Sequence, residues 1–331
     1  MSAKMGADFC PAWWLPGRHP QTIVGRYLRI KNGVTFRRER WDTPDGDFLD
    51  LDFAEVGAVW TDRPESTPIV IVLHGLEGSA RSGYAYELYK RLASHGIRPL
   101  GLNFRSCSGE LNRGARLYHS GETSDFEFVL NRISERYPAA PLGAVGVSLG
   151  ANVLLCHLGK RGENTLLSAG ASISAPFDLA HCSDALDRNG GRIYGRWLLR
   201  KLHTKVRQKR SHLESICNVD LALSARSLRE FDNHITAPVF GFDGANDYYR
   251  QCSTAPLLST IARPTQILRS SDDPFHHGEE IPEQVLQDNP HLRPLLVNAG
   301  GHVGFVTGNS PFTREFWAEK VSAEFLAQAL A

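Results

Sequence analysis

The sequence predicts an α/β fold: a mostly parallel central sheet with helices on both faces and a helical insertion. Three observations predict it. Short, wholly apolar runs such as Ile69–Leu73 (IVIVL) read as strands buried on both faces. Helical patterns such as Tyr84–His95 and Glu122–Tyr137 alternate with them, which calls for right-handed crossovers and a parallel sheet. The segments richest in chemically active side chains each follow a strand-like run, so they fall on the one sheet edge where such folds bind ligands. The 331 residues are 42% hydrophobic and 22% charged with a net charge of +1, which suits one globular domain, 1–331, and argues against binding nucleic acid through bulk charge.

Residues 1–34 read as an N-terminal packing arm. Within it, Trp13 and Trp14 precede Pro16, and two adjacent tryptophans call for cover. They read first as packed on the domain, and second as a pocket wall or a lip that touches a membrane. Thr35–Trp41 and Phe48–Phe53 alternate around Thr43-Pro44-Asp45-Gly46 and predict an antiparallel pair. Ile69–Leu73 is the first central strand, followed at once by His74-Gly75-Leu76-Glu77-Gly78-Ser79. The helix Tyr84–His95 stops at Gly96, and Ile97–Phe104 is the next strand. A polar loop, Arg105–Gly121, leads to the helix Glu122–Tyr137, which Pro138 closes. Leu142–Val147 and Ser168–Ser174 are further strands.

Leu179–Ile235 breaks this rhythm and predicts a helical cap or insertion, residues 179–235. Its centre is basic, with no acid between Arg188 and His212. Such a run reads as a solvated face, or else as a lid that meets anionic headgroups or substrate. Pro238–Phe242 is a short apolar piece before Asp243 and Asp247. Pro264–Arg269 and Leu292–Val297 are the last two strands, and Glu315–Ala329 is the closing helix. No apolar run reaches the length of a membrane span, and no secretory leader is evident. Six scattered cysteines without a C-x-x-C pair suit reduced thiols and a cytoplasmic setting.

The chemistry centres on Gly146-Val147-Ser148-Leu149-Gly150, a G-x-S-x-G between a strand and a helix. A serine on such a turn projects its hydroxyl from the strand end, with the helix N-terminus pointing at the same place. It needs a base, and histidine titrates nearest the working pH. His302 follows the last strand and two glycines, so it is the candidate base. His74 follows a strand too, but reads as a turn-shaping residue. His276 and His277 lack the helical spacing of a zinc site, so no metal and no cofactor are expected. The acid is Asp273, ahead of Asp272, Asp243 and Asp247, because it follows the penultimate strand and precedes Pro274. The backbone N–H groups of Leu76 and Leu149 are the candidate oxyanion hole.

Taken together, GRHPQTI (Gly17–Ile23), HGLEGS (His74–Ser79), NFRSCSGELNR (Asn103–Arg113), YHSGETSD (Tyr118–Asp125), GVSLGAN (Gly146–Asn152), DYYRQCS (Asp247–Ser253), DDPF (Asp272–Phe275) and GGHVGF (Gly300–Phe305) run in order along nearly the whole chain. They resemble the YheT-like subgroup of the α/β-hydrolase superfamily, with the mammalian ABHD1/2/3 acyl hydrolases among its kin. Ser106 departs from the glycine expected there. The resemblance implies Ser148, Asp273 and His302 as triad and an esterase or lipase-like activity on a small-molecule acyl ester or lipid. Acyl transfer or thioester cleavage at the same site, and a non-catalytic lipid-binding module, are the alternatives. Trp13 and Trp14, or the basic cap, are the candidates for contact with a membrane surface.

Overall fold

The computed structural model describes residues 9–331; the first eight residues of the expected arm lie outside the described residues. Eight strands form one sheet: β1 (Thr35–Asp42), β2 (Phe48–Glu55), β3 (Ile69–Leu73), β4 (Arg98–Asn103), β5 (Leu142–Val147), β6 (Ala169–Ile173), β7 (Thr265–Ser270) and β8 (Leu292–Val297). Their spatial order is β1-β2-β4-β3-β5-β6-β7-β8. β1 and β2 pair antiparallel, β2 lies antiparallel to β4, and the remaining neighbours are parallel.

Strand alternation builds two cores. Ile69, Ile71 and Leu73 of β3 face one layer, where Phe126, Val129 and Ile133 of α3 (Ser124–Arg136) and Leu154 and Leu158 of α4 (Leu149–Arg161) pack. Val70 and Val72 face the other, against Leu88 and Leu92 of α2 (Gly83–Ser94) and Ala318 and Leu326 of the closing helix. Each of the larger of these side chains contributes about 1.5–3 kcal/mol on burial, so the doubly covered sheet is the rigid base. The closing helix begins at Trp317 and not at Glu315, because Glu315 and Phe316 pair as a short strand with Val306 and Thr307.

Between β6 and β7 the chain leaves the sheet. α5 (Leu179–Asp187), α6 (Arg192–Gln208) and several short helices enclose a core of their own, with Leu198, Leu202, Val206, Leu213 and Phe231 among its members. The helical stretch runs beyond Ile235, as far as Cys252, and takes in Pro238–Phe240. α6 is two-faced. Lys205 and Lys209 are buried against the main body: Lys205 Nζ lies 2.6 Å from Glu77 Oε1, and Lys209 Nζ donates to Asn112 Oδ1 at 2.6 Å. Arg192, Arg196 and Arg200 point outward. The basic run therefore holds both bolts and surface.

The arm contains a helix that its sequence conceals, α1 (Arg18–Leu28). His19-Pro20 looks like a break, but proline is tolerated in a first turn, where its missing N–H has no intrahelical partner. Arg29, just beyond α1, is buried and bonds Glu319 at 2.6 Å, the carbonyls of Val303 and Gly304 at 2.9 and 3.0 Å, and the Gly25 carbonyl at 2.8 Å. Ser106 has φ 61°, which accounts for the glycine expected there. Its hydroxyl bonds the Asn112 side chain and accepts the Asn112 N–H at 3.1 Å, which offsets part of the cost.

Removing one partner of the Arg29–Glu319 pair strands a buried charge. Glu319→Ala is expected to lower unfolding free energy by about 3–5 kcal/mol in urea titration, and Glu319→Gln by less.

Candidate active site

The β5–α4 turn sets the geometry. Ser148 has φ 55° and ψ −117°, a strained conformation for a residue with a side chain. It is held because its N–H donates to the Ile173 carbonyl at 2.8 Å and its carbonyl accepts from Asn152 at 3.0 Å. The two glycines are steric necessities. A Cβ on Gly146 would enter the backbone of Gly150 and Ala151, and one on Gly150 would enter the Leu73 and His74 carbonyls.

His302 meets this serine from the loop after β8. Its Nε2 lies 2.9 Å from Ser148 Oγ and its Nδ1 lies 2.8 Å from Asp273 Oδ2. With Nδ1–H donating to the carboxylate, Nε2 is left to accept the serine proton. The Phe275 ring stacks on the imidazole, centroids 3.8 Å apart and planes within 4°. Asp273 is buried, and its Oδ1 accepts the Phe275 N–H at 2.8 Å. Burial alone would raise this carboxyl. His302, His276 and the Phe275 N–H outweigh that and hold it at about 2.

Asp272 turns the other way and accepts the Gly301 N–H at 2.9 Å, so it braces the histidine loop. Asp247 takes the Asp243 N–H at 3.1 Å and the Gln251 amide at 2.7 Å, within the insertion. Of the four acids weighed from sequence, only Asp273 bonds His302.

Leu76 follows β3 in a loop that packs on the serine: a Cβ on Gly75 would lie 3.3 Å from Ser148 Cβ. Gly75 N–H donates to Tyr84 Oη at 2.9 Å and Glu77 N–H to Tyr118 Oη at 2.8 Å. The Leu76 N–H between them has no acceptor among the described residues. Leu149, first residue of α4, has no intrahelical acceptor either. His74 sits beneath this loop, donating from Nδ1 to the Gly75 carbonyl at 2.8 Å and accepting Phe104 N–H at 3.1 Å. Burial lowers it to about 4, so it is neutral scaffolding.

Residues the sequence left without a role hold the histidine loop. Thr22 Oγ1 accepts the His302 N–H at 2.8 Å. Buried Gln21 accepts the Val306 N–H at 2.8 Å and donates to the Val306 carbonyl at 3.1 Å. The signal was present as GRHPQTI, a resemblance stretch remote from every predicted strand. Trp13 and Trp14 donate to the carbonyls of Asn309 and Gly308, beyond the same loop.

Asp273, His276 and His302 also gather metal-ligating atoms within 4.8 Å. Each is already committed, however: the first and last to each other, and His276 Nε2 to the Ser174 carbonyl at 3.2 Å. A cation would have to displace those bonds.

A cavity of about 730 Å³ opens beside Ser148 and His302. Its walls are mostly apolar and come from both layers: Leu117 from the main body, and Leu186, Leu198, Leu202, Phe231 and Ile235 from the insertion. One turn of its wall, Asp232–Thr236, is π-helical, a local widening no pattern in the sequence announces.

The family described as alpha/beta hydrolase fold matches residues 68–309. YheT of Escherichia coli (strain K12) is 38% identical, covering 98% of this chain and 94% of its own. Human phospholipase ABHD3 is 30% identical, covering 96% of this chain and 80% of its own. An esterase of Pyrococcus furiosus has a similar fold, with a TM-score of 0.58 at 18% identity, over 90% of this chain and 92% of that one.

Burial drives His74 and His119 to about 4 and His276 to about 3, from an ordinary 6.5. The unfolded chain protonates all three near pH 6.5, the native one only far lower. Their contribution to stability is full above about pH 6.5 and is lost as pH falls toward 4. Urea unfolding at pH 5 should therefore take up about three protons through these side chains, read from the slope of stability against pH.

Proposed function

The chain belongs to the α/β-hydrolase family, in the subgroup of YheT and ABHD3, and it is a carboxylic ester hydrolase; on that premise we propose that Ser148, His302 and Asp273 are its catalytic triad, working through an acyl-enzyme. The observation that carries this reading is the imidazole bonded to both the serine and the buried carboxylate.

Ser148 Oγ attacks the acyl carbonyl while His302 Nε2 takes its proton. Asp273 keeps the imidazole in the productive tautomer and stabilises the imidazolium. The N–H groups of Leu76 and Leu149 hold the oxyanion, each worth roughly 3–4 kcal/mol in the barrier. The alcohol leaves with the proton from His302, and a water activated by the same nitrogen releases the acid.

In this reading the helical insertion, expected over 179–235 and continuing to Cys252, is a cap on a single domain, and Gln21 and Thr22 of the arm brace the histidine loop. The apolar cavity seats the acyl chain, and its extent favours a lipid ester. That ABHD3 is named a phospholipase points the same way.

A fluorophosphonate probe should label the wild type and not Ser148→Ala. Absence of labelling in the wild type would favour a binding module instead. Asp273→Asn should lower kcat about 10⁴-fold with little change in KM, whereas Asp272→Asn should cost less than about tenfold. Equal losses from the two would move the acid's role off Asp273. On p-nitrophenyl esters, kcat/KM should rise from acetyl to octanoyl as the cavity fills; a fall along the series would contradict the acyl-seat assignment.

A further inference from the structure

We propose that the mouth of the acyl cavity is a docking face for an anionic lipid bilayer, formed by α1 and α6. The proposal rests on the ester-hydrolase reading for its purpose, delivery of a lipid ester to Ser148, though not for its test.

Exposed apolar side chains scattered singly need no explanation, but these are gathered. Tyr27 is 79% exposed, Ile193 69%, Ile23 41% and Trp197 38%. All four border the cavity mouth, two from α1 and two from α6. Arg26 and Lys31 border it as well. On α6, Arg192, Arg196 and Arg200 recur every fourth residue on the outward face, each one position before or a turn from Ile193 and Trp197. None of these five cations is ion-paired with a carboxylate among the described residues, whereas inward Lys205 holds Glu77. Arg26 lies over the Trp197 ring at 4.7 Å and Lys201 at 4.5 Å.

The charge is sharply localised. α1 and α6 together carry eight Lys and Arg side chains and no acid, in a chain whose net charge is only +1. A face of arginines interleaved with Trp, Tyr and Ile has the chemistry of a helix lying at headgroup depth. No helix among the described residues is long and apolar enough to cross a membrane. A second copy of this chain is a poorer occupant, since a two-fold contact would set cations against cations. An apolar cavity opening in the middle of the face selects a bilayer over other polyanions.

The sequence placed membrane contact at Trp13 and Trp14 or on the basic cap. Trp13, 75% exposed, and Trp14 donate to the backbone beyond the histidine loop and do not line the mouth; the outward arginines of the cap adjoin Ile193 and Trp197, which do.

The test is co-sedimentation with phosphatidylcholine vesicles, with or without about one-third phosphatidylglycerol. Wild type should bind the anionic vesicles at low salt, release in half-molar salt, and bind pure phosphatidylcholine far more weakly. The triple variant Arg192→Glu, Arg196→Glu, Arg200→Glu should bind anionic vesicles at least about a hundredfold more weakly. These three side chains are exposed and outside the cavity, so its hydrolysis of a water-soluble acetyl ester should stay within about twofold of wild type. If that variant does not fold, the Gln triple variant should show the same direction with a smaller loss. Ser148→Ala should bind vesicles like wild type, which separates failure of docking from failure of the hydrolase assignment. The proposal falls if wild type ignores phosphatidylglycerol, if the triple variant binds undiminished, or if light scattering finds a dimer that the triple variant dissolves.

Discussion

An imidazole must stay within one hydrogen bond of a hydroxyl that sits on a different loop, and the rest of this structure depends on that distance. The hydroxyl side is fixed by sterics: a strained turn, two glycines that admit no Cβ, and a sheet covered on both faces. The imidazole side is fixed by enclosure. Asp273 grips one nitrogen, Phe275 lies flat on the ring, Thr22 takes the backbone N–H, and Asp272 and Ser270 hold the preceding Gly301 by its N–H and carbonyl. The loop has no regular structure of its own, so side chains from distant parts of the chain, Thr22 on α1 and Ser270 at the end of β7 among them, supply this rigidity.

The sheet was legible in the sequence because buried parallel strands leave a signature that few other elements share. The serine turn was legible because its glycines are sterically required. The choice of Asp273 over Asp272 rested on Pro274, and the structure gives its cause: adjacent residues leaving a strand point to opposite sides, one toward His302 and one toward Gly301. α1 was hidden because proline reads as a breaker wherever it falls, and only the neighbouring chain reveals that Pro20 lies in a first turn. The division of the basic run into inward lysines and outward arginines was hidden for a related reason. A charge count carries no phase; the partners Glu77 and Asn112, remote in sequence, supply it.

The insertion is tied to the chemistry by more than proximity. Lys205 reaches Glu77 Oε1, and Lys201 donates to the Glu77 carbonyl at 3.2 Å. Glu77 adjoins Leu76, the proposed oxyanion donor, and Tyr118 clamps both its N–H and its carboxylate. One residue thus couples the proposed oxyanion loop to the helix over the apolar cavity. A shift of α6 would be felt first at that loop.

Gln21 belongs to the first helix described, and its partner Val306 lies 285 residues later. During synthesis that clamp can form only after a further 285 residues have been made. The same closure brings Thr22 to the His302 N–H, so the position of that imidazole depends on it. The proposed site is thus completed only when chain regions 285 residues apart close on each other.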